Sequence, residues 1–116
     1  MTPQQFATAI GAVESNNNPN SPLGDHGRAF GQFQVHPDWV FDWARRLALA
    51  PQLGELWDSF IERLVCAFYS FHVSQLSAPE IAMTFHIGHV VHFGGADWDA
   101  GYGDRFSKAA AGLPRG

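Results

Sequence analysis

The sequence predicts one mainly helical α+β domain, residues 1–116, with about five helices and a small β-hairpin. Three observations lead there. Apolar residues recur at three- and four-residue intervals along five stretches. Capping residues followed by proline open the first and fourth of them. Glycines and short polar residues interrupt the helical pattern between residues 23 and 35. A chain of 116 residues has no room for a second core, and 10 Phe and 4 Trp supply enough apolar surface to fold one without disulfides or metals.

Thr2-Pro3-Gln4-Gln5 combines an N-cap residue, proline at the first helical position and glutamine at the third, and Phe6, Ile10 and Val13 follow at helical spacing. The first helix therefore starts near Pro3. Asn16, Asn17 and Asn18 before Pro19 stop it, which leaves Glu14 in its last turn. Residues 23–35 carry Gly24, Gly27 and Gly31 and suit a hairpin. After Pro37, a stripe of Trp39, Val40, Trp43, Ala44 and Leu47 predicts a helix that ends before Pro51. Leu53, Leu56, Trp57, Phe60, Ile61, Leu64 and Phe68 continue the spacing into a longer, central helix whose stripe is expected in the core. Ser77-Ala78-Pro79-Glu80 opens a short helix with Ile81, Ala82 and Phe85, ended by Gly88. A last helix starts near Asp99, carries Tyr102, Phe106, Ala109 and Ala110, and closes at Gly112 and Pro114.

Cys66 is the only cysteine and lies inside the longest helix, so it is read as packing. The first basic residue is Arg28, so no export signal is expected, and the longest uncharged runs, 64–79 and 81–96, are too short and polar to span a bilayer. Seven basic residues against 11 acidic ones, with no basic run, exclude the electrostatic footprint of a nucleic-acid binder. The six histidines would carry the formal charge from −4 to +2 if all were protonated, so attraction to an anionic polymer is expected to grow as pH falls through about 6.5. His86, His89 and His92 recur every three residues, but Gly88, Val90 and Val91 break the helix that would align them, and neither metal nor cofactor is expected.

Glu14 is the candidate for chemistry. It comes one turn after Ile10, at the edge of the stripe facing the core, and sits at a helix C-terminus. Partial desolvation and the negative end of the helix dipole both favour its protonated form, which a general acid needs. A helix-terminal Glu taken alone is more often an ordinary surface residue, and the motif on its C-terminal side changes that reading.

Glu14-Ser15, followed by Gly24-Asp25-His26-Gly27-Arg28-Ala29-Phe30-Gly31-Gln32-Phe33-Gln34-Val35, resembles the goose-type lysozymes, whose pattern is E-S and then G-D-x-G-x-x-F-G-x-x-Q-V. Ala29-x-Gly31-x-x-Gln34-x-x-Pro37 is also similar to the soluble lytic transglycosylases. Phe85-His86-Ile87-Gly88 resembles the Y-N-A-G of these families and is followed by Tyr102 and Arg105 on the last helix.

The resemblance implies a lysozyme-like fold and cleavage of the β-1,4 bond between N-acetylmuramic acid and N-acetylglucosamine in bacterial peptidoglycan. It makes Glu14 the proton donor and gives Asp25 the place of a residue that holds attacking water for inverting hydrolysis. Ser15 and Gln34 match saccharide-groove residues. Phe85 and His86 replace a Tyr and an Asn, and Tyr102 is expected to return the missing hydroxyl. A family Asp directly after Gln-Val is His36 here, with Asp38 two residues on, so water activation departs from the pattern. Two alternatives stay open: a lytic transglycosylase, which uses one Glu and forms 1,6-anhydro ends, and a saccharide-binding module without turnover. Trp98 is the tryptophan expected outside the core and so the one considered for sugar stacking. The partner implied is peptidoglycan, with no membrane insertion and a monomeric chain. Without an export signal, the expectation is a protein made in the cytoplasm and delivered to the wall by a phage.

Overall fold

The computed structural model describes residues 1–114. Five helices follow in order: α1 (Pro3–Ser15), α2 (Pro37–Arg46), α3 (Trp57–His72), α4 (Ala78–Ile87) and α5 (Ala100–Ala111). The mainly helical reading holds. Among the described residues no helix is long and apolar enough to cross a membrane.

Local chemistry sets the helix ends. Thr2 Oγ1 accepts the Gln5 backbone N–H at 3.0 Å while the Gln5 side chain takes the Thr2 N–H at 2.8 Å, so both orphan donors are satisfied. Ser77 and Glu80 repeat the box at α4. Asp99 caps α5 through the Tyr102 N–H. Asn16 in the left-handed conformation ends α1, and Gly88 ends α4 at φ +100°, where a side chain would strain the backbone.

Packing then brings the ends together. α1 packs between α3 and α5, α4 packs on α5 and α3, and α2 lies against α3. Phe6 and Ile10 of α1 are fully buried among Phe60, Leu64 and Phe68 of α3 and Phe106 of α5. Each such side chain contributes about 1.5–3 kcal/mol through the apolar surface it removes from water. Cys66 is half-buried in α3, and burial raises its thiol to about 11, which leaves it a packing group.

Two sequence expectations need correction. The hairpin at 23–35 is not a strand pair. Gly24 and Ala29 exchange two backbone hydrogen bonds, and Phe30 and Val35 exchange another two. Because Ala29 and Phe30 are adjacent and turn to different partners, neither bridge can grow into a ladder, and two tight loops result. Asp25, His26 and Gly27 all have positive φ, which tightens the first loop further. The second concerns Leu53, Leu56 and Trp57, which are exposed rather than core residues; Trp57 opens α3 with much of its side chain in water. Gly54 at φ +79° turns the chain there, and α3 starts only at Trp57, so the two leucines never join its stripe.

Candidate active site

The C-terminal turn of α1, the double loop, the start of α2 and the end of α4 enclose an open cleft of about 610 Å³. Its lining includes Glu14, Asp25, Gln34, His36, Trp39, Phe85 and His86. That size falls in the range of small-molecule sites, and polar and apolar groups share its lining about evenly.

Glu14 occupies this wall because α1 ends there, one turn beyond the buried Ile10. Its Oε2 accepts a 2.8 Å hydrogen bond from the Tyr102 hydroxyl. Burial raises the Glu14 carboxyl above its usual range; the Tyr102 hydrogen bond and the charges of His86 and Arg105 oppose that shift without cancelling it. Tyr102 is itself buried, and its phenol is pushed far above the usual range by burial and by the neighbouring Glu14 charge. It therefore stays a donor.

Tyr102 is held from several directions. Its backbone caps against Asp99, the His86 ring stacks on it with centroids 3.9 Å apart and planes at 6°, and the Arg105 guanidinium lies 5.7 Å from its ring centre. Asp99 Oδ2 sits 3.3 Å from His86 Nε2, so one carboxylate caps α5 and orients the imidazole that covers the phenol. The Tyr102 amide, then desolvation opposing it, then His86 govern the Asp99 carboxyl, and the net effect is to lower it.

On the loop side, Asp25 Oδ2 is 2.8 Å from His36 Nε2, and both side chains are open to water. Gln34, at φ +47°, donates its amide to the Gly31 carbonyl at 2.9 Å and the Pro22 carbonyl at 3.3 Å. That fixes the carboxamide at the cleft edge and bridges the two loops. Phe85 meets Trp39 edge-on at 5.2 Å, and together they form an apolar part of the lining.

Of the residues singled out from the sequence, Glu14, Asp25, Gln34, Phe85 and His86 line the cleft, and Tyr102 stands directly behind Glu14. Ser15 does not line it. Its hydroxyl donates to the Gln32 carbonyl at 2.6 Å and accepts the Asn18 N–H at 3.1 Å, so it ties the end of α1 to the double loop. Facing backbone groups take its donor and one of its two acceptor positions, so the contacts that the structure gives Ser15 are structural ones. Trp98 also stands elsewhere: it leans on Phe93 and Gly103 and lines a different, smaller pocket. Trp39, read from its spacing as core, both packs on Phe68 and lines the cleft. Its place in the first turn of the helix that Pro37 opens, two residues after that proline, was the available signal for it.

The three histidines at three-residue intervals go to three separate carboxylates: His86 to Asp99, His89 to Asp97 at 2.7 Å and His92 to Glu80 at 3.5 Å. Among the described residues no cluster of three metal-ligating side chains occurs. Compared with models of protein families, with curated proteins and with solved structures, the chain matches none.

Proposed function

We propose that this chain is a peptidoglycan-degrading glycosidase with a lysozyme-like fold, which cleaves the β-1,4 bond between N-acetylmuramic acid and N-acetylglucosamine with Glu14 as the general acid. One observation carries the reading. A carboxyl group withdrawn from water, gripped at one oxygen by a buried phenol, lies in the wall of an open cleft together with a second carboxylate, Asp25. The resemblance of the Glu14-Ser15 and 24–35 segments to goose-type lysozymes supports it independently.

The surroundings of Glu14 fit a proton donor. Burial keeps the proton on at a pH where a free glutamate has lost it. Tyr102, His86 and Arg105 favour the carboxylate that remains after donation, which eases the proton's release to the glycosidic oxygen. Tyr102 engages one carboxyl oxygen and leaves the acidic proton to the other. Gln34 and His86 offer hydrogen bonds to hydroxyl and N-acetyl groups, and Trp39 with Phe85 offers an apolar surface to the sugar ring. Inverting hydrolysis then needs a base about 6.5–9.5 Å from the acid, with water between them, and Asp25 is the carboxylate on hand.

A second reading, lytic transglycosylation, is favoured by the similarity of Ala29-x-Gly31-x-x-Gln34-x-x-Pro37 to the soluble lytic transglycosylases. In that chemistry Glu14 serves as acid and then base, and the sugar's own hydroxyl attacks. Digestion of purified sacculi followed by mass spectrometry separates the two, since only transglycosylation leaves anhydro ends. Equal clearing of a wall suspension by the parent protein and Glu14→Gln would overturn both. Sedimentation of both proteins with sacculi, with no release of fragments by either, would make the chain a binding module.

A further inference from the structure

Resting on the hydrolytic reading of this cleft, we propose that His36, oriented by Asp25, is the base that removes a proton from the attacking water. The resemblance assigns that work to carboxylates alone, and the geometry points to an imidazole.

His36 stands at the N-cap of α2, yet its side chain makes no capping hydrogen bond to the helix. Its Nε2 is engaged by Asp25 Oδ2 at 2.8 Å. With Nε2 carrying the hydrogen that Asp25 accepts, the lone pair lies on Nδ1, which has no partner among the described residues. The ring is 42% exposed and lines the same cleft as Glu14, so water has access to it. Asp25 is itself fixed by its loop, with φ +49° and the Gly24–Ala29 pair closing the turn around it. A carboxylate behind an imidazole selects the tautomer and stabilises the imidazolium that forms, as in other hydrolytic sites. Asp25 is then a positioning residue, and His36 touches the reacting water.

The step balances. Glu14 gives its proton to the glycosidic oxygen, and the C1–O bond breaks with its electron pair going to that oxygen. The water oxygen bonds to C1 from the opposite face, and one water proton passes to His36 Nδ1. One water is consumed; the products are a hemiacetal of inverted configuration and a free hydroxyl. Solvent then returns a proton to Glu14 and takes one from His36. The titratable groups around His36 are Asp25 on the loop, Asp38 on the first turn of its own helix, and Glu14 and His86 on the other elements lining the cleft.

The test compares the parent protein with Glu14→Gln, His36→Gln, His36→Asp, Asp25→Asn and Asp25→Glu on purified sacculi. It reads reducing ends and anhydro ends, with folding checked by circular dichroism. His36→Gln is expected to lose about 10²–10⁴-fold in kcat with little change in KM, the usual worth of a general base. His36→Asp should keep part of the activity, with the acid limb of its pH profile moved down, because a carboxylate gives up its proton at lower pH than an imidazole. Asp25→Asn should lower kcat with little change in KM, and Asp25→Glu, which keeps a carboxylate for His36 Nε2, should restore part of that loss; a merely structural aspartate would not show this split and rescue. Unchanged kcat and profile in His36→Gln, or anhydro ends from the parent protein, overturn the proposal while Glu14→Gln still tests the acid. A folded parent protein that releases nothing overturns the glycosidase reading and this inference with it. Should His36→Gln fail to fold, the acid limb of His36→Asp decides: an unshifted limb rejects the base.

Discussion

Replacing Glu14 by glutamine should abolish cleavage and make the protein more stable, but only at a pH where the parent carboxyl is ionised. The carboxamide keeps the shape and can still accept the Tyr102 hydroxyl, which now meets Glu14 Oε2 at 2.8 Å. What it removes is a charge held away from water. Because the carboxyl is raised above its ordinary 4.5 in the folded state, its favourable contribution is complete below that value and is lost as pH rises through the folded one. The variant loses nothing over that interval. Glu14 is only partly enclosed, and it keeps one strong hydrogen bond, so the gain at neutral pH should be modest: about 1 kcal/mol, within the span of typical stabilising substitutions. For a chain of this length that corresponds to a rise of about 3–6 °C in Tm. The assay is thermal unfolding of both proteins at pH 4 and pH 7.5, alongside digestion of sacculi. Near-coincident Tm values in acid and a higher Tm for the variant at neutral pH are expected. A difference that does not depend on pH, or a variant less stable at both, would refute the argument that Glu14 bears a burial penalty.

Tyr102→Phe removes the donor to Glu14 and should move the alkaline limb of the pH–rate profile upward, because the carboxylate loses its largest stabilising partner; loss of the hydrogen bond should also cost about 1–2 kcal/mol in denaturant unfolding. Cleavage by the parent protein should fall on the alkaline side as Glu14 loses its proton; a rate on sacculi that still rises above about pH 8 contradicts its role as acid. Gly88→Ala should destabilise by about 1–2 kcal/mol in urea titrations, since φ +100° is strained for any side chain even though the space around that position is open. Ser77→Ala should cost about 1 kcal/mol through loss of the α4 cap, with the cleavage rate unchanged.

What could be read from the sequence is whatever is decided within one helical turn. Thr2 with Gln5, Ser77 with Glu80, and Asp99 with Tyr102 all join residues three apart, so composition and spacing were enough to place the starts of α1, α4 and α5. Glu14 at the end of α1 follows from the same local rules, given Asn16 to Asn18 and Pro19. Period alone also led astray: the spacing of Leu53 and Leu56 matched the stripe of α3, but Gly54 interrupts the helix, and an apolar pattern without a continuous helix has no face to bury.

The chemistry of the cleft needed the tertiary structure, because its contacts join residues that are remote along the chain. Tyr102 reaches Glu14 across 88 positions only because α5 packs on α1, and that packing decides both the burial that raises the carboxyl and the hydrogen bond that restrains it. Ser15 looked available for a ligand until the fold brought the Gln32 carbonyl to it, and His36 looked like a missing carboxylate until the double loop set Asp25 beside it. The physical reason is common to all three. Helix caps draw on neighbours that the chain cannot move away, whereas desolvation and the choice of polar partner depend on which surfaces the packed core leaves facing one another.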